Sequence, residues 1–248
     1  MAERDSNSWS VMIAGYAQNG GPHEALALFR EMQISDVDIH GFTLASIVGV
    51  CGELGALDLG KWAHSYIDRK GVEIDVVLGN SLVDMYAKCG LLDEAHTSFQ
   101  RMDEKDVFVW STMIGGYAIH GYGEKALQVF ADMISANVRP TCVTFTSMLY
   151  ACSHSGLIDE GCRCFDSMRS EYGIEPQIEH YGCMIDLFCQ AGCINEAHDF
   201  ISSMSIEPNV VLWRTLLSAC KASGHAKLGA CISRKLLELN PKSGLELA

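Results

Sequence analysis

The chain has no long hydrophobic run. Its longest apolar stretches, such as Phe42–Cys51, fall far short of the about 18 consecutive residues that a membrane helix needs. The first ten residues, MAERDSNSWS, hold neither an apolar signal core nor the Arg-rich, acid-poor character of an organellar presequence. The protein is therefore expected either in the cytosol or in a compartment whose targeting segment is not in this sequence. Basic residues are scarce: 18 Lys and Arg face 31 Asp and Glu, for a net charge of −13. That is the wrong sign for a generic polyanion binder, so any nucleic-acid role must come from local residues. Eleven cysteines are present without a single C-x-x-C knuckle, which excludes the usual structural zinc sites. Their odd number and irregular spacing argue against a disulfide framework and for free thiols in a reducing compartment. Neither a metal nor an organic cofactor is expected.

Two short stretches imitate nucleotide chemistry. Asp93-Glu94-Ala95-His96 spells a helicase tetrapeptide, and GALDLGKW (55–62) nearly spells a phosphate-binding loop. Neither has the right context. Lys61 is followed by Trp62, where a phosphate loop requires Ser or Thr for the metal, and no βαβ pattern surrounds it. The repeat structure of the chain explains both strings better.

Four segments superimpose: YAQNGGPHEALALF (16–29), YAKCGLLDEAHTSF (86–99), YAIHGYGEKALQVF (117–130) and FCQAGCINEAHDFI (188–201). Three more divergent copies begin at Cys51, Cys152 and Cys220. Each has an aromatic residue or Cys, a Gly four residues later, and Ala or Gly five beyond that. A second frame agrees with the first, running through SWSVMIAGY (8–16), GNSLVDMY (79–86), VWSTMIGGY (109–117), TFTSMLYAC (144–152), HYGCMIDLF (180–188) and LWRTLLSAC (212–220). The spacing is 31 to 36 residues. Every copy holds two segments of helical periodicity, for example Trp9, Met12, Ile13 and Tyr16, then Ala25, Leu26, Leu28 and Phe29. The intervening Gly suits the left-handed residue that ends a helix. Each unit is thus a helix–turn–helix hairpin that cannot bury its apolar stripe alone, and neighbours must stack into an all-α solenoid. In this frame Ala95 is the small residue that admits a neighbouring helix, and Glu94 lies on a solvated first turn.

Period, pairing and strings such as NSLVDMYAKCG, FTSMLYACSHSGLIDEG and EYGIEPQIEHYGCMIDLF together resemble the pentatricopeptide repeat family, specifically the plant type with P, L and S repeats. The resemblance covers nearly the whole chain. It implies a right-handed superhelical α-solenoid related to tetratricopeptide repeats. On that frame the repeats are 6–40 (P), 41–75 (L), 76–106 (S), 107–141 (P), 142–177 (L) and 178–209 (S), with an E-type extension motif at 210–243. MAERD (1–5) resembles MDEKD (102–106), the end of a preceding S repeat, so the chain is expected to be a fragment or short paralogue of a longer protein.

The resemblance further implies binding of single-stranded RNA at roughly one base per repeat. The fifth and last residues of each repeat read the base edge, and the second residue sandwiches the base. Carried over, the reading pairs are Ser10/His40, Ala45/Asp75, Asn80/Asp106, Ser111/Thr141, Thr146/Gln177 and Gly182/Asn209. Asn80 with Asp106 is the family's uridine-type combination. Ser10/His40 and Ser111/Thr141 depart from the pattern, since P repeats usually end in Asp or Asn. Val77, Phe108, Phe42 and Val143 fit the apolar sandwich position, whereas Asn7 and Glu179 do not.

Members of this subclass choose sites for C-to-U editing in transcripts of mitochondria and chloroplasts. The deaminase of that reaction needs an H-x-E motif and a C-x-x-C pair. The sequence contains neither, so this chain is not expected to be an enzyme. Its expected partners are organellar RNA and a deaminase-bearing or editing-factor protein met through the 210–243 extension. A competing reading from another class is a protein-binding helical scaffold, which the net charge favours; the Asn80/Asp106 pair favours RNA. Lys and Arg clustered beside the fifth-position residues would support RNA.

Overall fold

The structure, a computed structural model, describes residues 5–35 and 37–239. Among these it contains fourteen α-helices and no strand. They come in seven successive pairs: α1 (Ser6–Gln18) with α2 (Pro22–Ile34), α3 (Gly41–Leu54) with α4 (Leu57–Lys70), α5 (Val76–Lys88) with α6 (Leu92–Arg101), α7 (Val107–Ile119) followed in the sequence by α8 (Gly123–Ser135), α9 (Cys142–Ser155) with α10 (Ile158–Ser170), α11 (Ile178–Gln190) with α12 (Ile194–Ser202), and α13 (Val210–Ala222) with α14 (Ala226–Leu239); all but the fourth pair are hairpins within one unit. Residues 1–4 and the last part of the expected extension, 240–243, lie outside the described residues.

The helices group into two compact units, Met1–His120 and Gly121–Ala248. In the first, α1, α3, α5 and α7 pack in series, and each of α2, α4 and α6 touches the first helix of its own hairpin and of the next. In the second, α9, α11 and α13 pack in series, with α10 and α12 placed in the same way. This is the all-α, stacked-hairpin fold expected from the period.

Local chemistry explains the regularity. The Gly that closes each first helix takes positive φ in every copy, as at Gly55 (64°) and Gly156 (68°), where a side chain would be strained. The small residue five positions later is buried each time. Ala95 and Ala126 have no exposed surface, and at Gly60 an added Cβ would meet Met85 Sδ at 2.7 Å. Small side chains there let each second helix lie close to the following first helix. Each first helix then buries a dense stripe, such as Leu78, Leu82, Val83, Met85 and Tyr86 on α5, at about 2 kcal/mol per large side chain. Edge-to-face aromatic contacts, such as Phe99 with Trp110 at 4.9 Å, join hairpins within a unit.

The two imitation motifs resolve here. Glu94 is exposed on the first turn of α6, Ala95 is packed, and Gly55 ends α3 ahead of a helix that carries Lys61. One packing expectation needs correcting. Tyr16 is 47% exposed, although the matching Tyr86 and Tyr117 are buried. Those two are covered by the preceding second helix, where His64 and His96 meet their hydroxyls at 2.8 and 3.1 Å. No described hairpin precedes α1 to do the same.

Candidate nucleic-acid interface

The residues singled out as base readers fall on two places in the hairpin. The last residue of each repeat is the N-cap of the next first helix: His40, Asp75, Asp106, Thr141, Gln177 and Asn209. Three of them cap with their own side chains. Asp75 accepts from the Leu78 N–H (2.8 Å), Asn209 accepts from the Leu212 N–H (3.0 Å), and Asp106 Oδ1 accepts from both Phe108 and Val109 (3.0 Å each). At Thr141 and Gln177 a capping box forms, in which the third helical residue reaches back, with Thr144 Oγ1 and His180 Nδ1 accepting the cap residue's N–H. These positions hold helix ends together as well as standing at the junction where a base edge could be met.

The fifth-position residues are governed by what stands third in the following hairpin. Ser10 is buried; its Oγ donates to Ser6 O (2.8 Å) and pairs with Thr43 Oγ1 (2.6 Å). Thr146 donates to Cys142 O and meets His180 Nε2 at 3.1 Å. Since His180 Nδ1 accepts from the Gln177 N–H, Nε2 carries the proton, and this nitrogen also lies 2.9 Å from Cys142 O. Ala45 is buried, and its counterpart on α5 is the buried Leu78. At Gly182 an added Cβ would meet Leu212 Cδ2 at 3.6 Å. Ser111 is also buried, and its hydroxyl donates to Val107 O. Fifth-position residues are thus mostly matched, polar with polar or apolar with apolar.

Asn80 breaks the match. Its counterpart on α7 is Val109, which is fully buried and offers no polar atom. Asn80 Oδ1 is buried without a hydrogen-bond partner among the described residues. Three other side-chain atoms share that condition, on Ser98, Trp110 and Ser153, but those residues are buried, whereas Asn80 is partly exposed. An unsatisfied buried amide oxygen costs about 1–3 kcal/mol.

The sandwich position is an exposed apolar one. Val77, Phe108 and Phe42 are 62%, 65% and 55% exposed in the first unit, and Val143 is 54% exposed in the second. Each is the second residue of its first helix; Asn7 and Glu179 hold the same place as exposed polar residues. Residue-by-residue reading of the sequence passed over Val211, which is 65% exposed at the second position of α13. Extending the second-residue column through the extension motif would have found it. Such surfaces suit stacking by a base, which presents a π-face whatever its sequence.

The electrostatic expectation is not met. Across the seven first helices the only Lys and Arg are Lys88, Arg214 and Lys221, and Lys88 is paired with Asp84 at 2.7 Å. Among the described residues the first helices carry no cationic strip beside the fifth positions, because those helices spend their surface on packing and on small hydroxyls. Burial raises the Cys51, Cys152 and Cys189 thiols to about 12. Among the described residues no group of His, Cys, Asp or Glu could hold a metal, and no helix is long and apolar enough to cross a membrane.

With this geometry, comparison with known proteins places the chain. The PPR repeat family matches residues 105–154, and single PPR repeats match 7–37, 80–107, 143–172 and 179–206. A pentatricopeptide repeat-containing protein of Arabidopsis thaliana is 44% identical over 239 residues, 96% of this chain and 30% of that protein. The Arabidopsis chloroplastic protein CRR2 is 43% identical, covering 98% and 37%. A mitochondrial member of the same plant is 42% identical, covering 96% and 31%. The chain therefore spans about a third of the length of these relatives. Among solved structures it resembles maize PPR10 in complex with an 18-nt psaJ RNA element (TM-score 0.60, 19% identity, 96% of this chain and 40% of that one). A tetratricopeptide repeat protein of Parabacteroides merdae is similar in fold (TM-score 0.59, 15% identity, 95% and 93%). The repeats matched across more than half of the chain establish that it belongs to the pentatricopeptide repeat family.

Proposed function

We propose that this chain binds single-stranded RNA sequence-selectively in the RNA metabolism of plant mitochondria or chloroplasts, selecting sites for C-to-U editing by a catalytic partner supplied in trans. The observation that carries the reading is the Asn80 amide, left without a partner between the exposed apolar Val77 and the Asp106 junction. A base that stacks on Val77 brings donors and acceptors to that amide. The RNA bound by PPR10 and the chloroplastic and mitochondrial names of relatives support the reading.

The second reading, a protein-binding scaffold, is favoured by the net charge of −13 and the scarcity of cations on the first helices. Gel shift at low salt with oligonucleotides carrying uridine runs separates the two. Asn80→Ala should weaken binding about tenfold, the loss of one well-placed hydrogen bond. Ser10→Ala should leave binding unchanged, because the Ser10 hydroxyl is already committed to Ser6 and Thr43. Absence of binding by the wild-type chain at low salt, or full binding by Asn80→Ala, rules out base reading at α5.

A further inference from the structure

In this acidic chain the last hairpin reverses sign. Residues 210–239 hold five basic residues (Arg214, Lys221, Lys227, Arg234 and Lys235) and one acid, Glu238, a balance of +4 where the whole chain is −13. All five are exposed and none has an acidic partner among the described residues. Elsewhere Lys88, Arg101, Arg163 and Arg169 are paired with Asp84, Asp68, Glu160 and Glu175. Arg30, Lys61, Arg69, Lys70 and Arg139 also lack an acidic partner among the described residues, so what sets the last hairpin apart is its density of cations and not their being unpaired. Helix electrostatics account for part of the set only. Lys221 lies in the last turn of α13, where a cation is favourable. Lys227 lies in the first turn of α14, where a cation opposes the helix dipole, and Arg214 lies too far from either end of α13 to benefit. Like charges gathered on one hairpin repel each other unless an anion compensates.

Position adds an independent argument. Val211 holds the second place of α13, the exposed place taken elsewhere by Phe42, Val77, Phe108 and Val143. Arg214 holds the fifth place, one turn along the same face. α14 runs back beside α13 and brings Lys235 Nζ to 4.1 Å from the ring of Trp213, the residue before Arg214. Arg214 and Lys235 therefore lie toward the same end of the hairpin, the end where Val211 is exposed.

We propose that the α13–α14 hairpin is itself a nucleotide-contacting element, in which a base stacks on Val211 while Arg214 and Lys235 hold a neighbouring phosphate of single-stranded RNA. The inference rests on the RNA-binding reading above and adds a contact outside the six carried-over base-reading pairs. Fluorescence anisotropy of the full chain against a mixed-sequence RNA pool and oligouridine, across a salt series, tests it with Arg214→Ala, Val211→Ser and Asn80→Ala. Thermal melts confirm that each exposed-site variant folds. Arg214→Ala should weaken binding about tenfold and make the salt slope shallower by about 0.7, one phosphate contact on a single strand. Val211→Ser should weaken binding without changing the slope. If both variants bind like wild type while Asn80→Ala is weakened, the hairpin inference falls and base reading at α5 stands; an acidic protein partner for the hairpin would give that result. If Asn80→Ala is silent while the hairpin variants are weakened, the hairpin contact stands and the α5 reading falls. A wild-type chain that binds neither probe at low salt overturns both.

Discussion

An amide opposite a valine is an unusual thing to leave at a helix–helix contact. Thr43 and His180 answer Ser10 and Thr146 at the corresponding places, so Val109 marks the place where Asn80 is left open. A hydroxyl at 109 should engage the amide. Val109→Thr is expected to keep stability within about 1 kcal/mol of wild type when Asn80 is present, because the new polar group gains a partner. In an Asn80→Ala background the same change should cost about 1–3 kcal/mol, giving a coupling that a double-mutant cycle measures in denaturant melts. Val109→Thr should also weaken uridine binding, since the amide is then engaged within the protein. Additive effects on stability would sink this account of Asn80. The residue itself was legible in the sequence, from repeat spacing and family resemblance. That its amide stands unpartnered was not, since this depends on a residue of the following hairpin that becomes a neighbour only when α5 packs on α7.

At the scale of the helix, the junction residues have two roles that substitution can separate. Asp106 Oδ1 caps α7 through two backbone N–H groups, and Oδ2 has no partner among the described residues. Asp106→Ala should therefore cost about 1 kcal/mol of stability, whereas Asp106→Asn keeps the cap and should cost only a few tenths. Both remove the carboxylate from the base edge, so both should weaken uridine binding. RNA affinity that survives in Asp106→Asn would make Asp106 a cap and nothing more. The sequence reading assigned these residues to RNA and did not foresee the caps, although Asp and Asn just ahead of an apolar periodic run are a helix-start signal. A second device at this scale responds to pH. His64 on α4 meets Tyr86 on α5 at 2.8 Å, and burial holds its pKa below the ordinary 6.5, with a smaller lowering by Arg101 against a raising by Asp68. The folded state disfavours the proton that the unfolded chain accepts. The contribution is fully present above pH 6.5 and is lost as pH falls through 6.5 toward the lower folded value. Melting temperature should drop between pH 7.5 and 5.5, and His64→Asn should flatten that drop; an equal drop in both proteins would exclude His64 as its source.

For the whole molecule, architecture was readable because the same physical constraint recurs in each hairpin. A positive-φ glycine and a packed small residue return every 31 to 36 positions, and no single copy had to carry the inference. Charge was harder to read, because a total of −13 averages an acidic array with a cationic last hairpin. The placement of charge now predicts how RNA binding depends on salt. A protein that neutralises 6–10 phosphates loses about 10³–10⁵ in affinity between 50 and 200 mM salt. Here the first helices hold only Lys88, Arg214 and Lys221, with Lys88 paired to Asp84 and Lys235 brought beside Trp213 by α14. Two phosphate contacts on a single strand give a slope of about −1.4, so the same fourfold rise in salt should weaken binding by about sevenfold. Stacking and amide contacts, which salt hardly screens, must then supply most of the free energy. A measured slope steeper than about −4 would mean that the RNA follows a cationic path away from the first helices, and would remove the basis for assigning Asn80 and Val77 to its recognition.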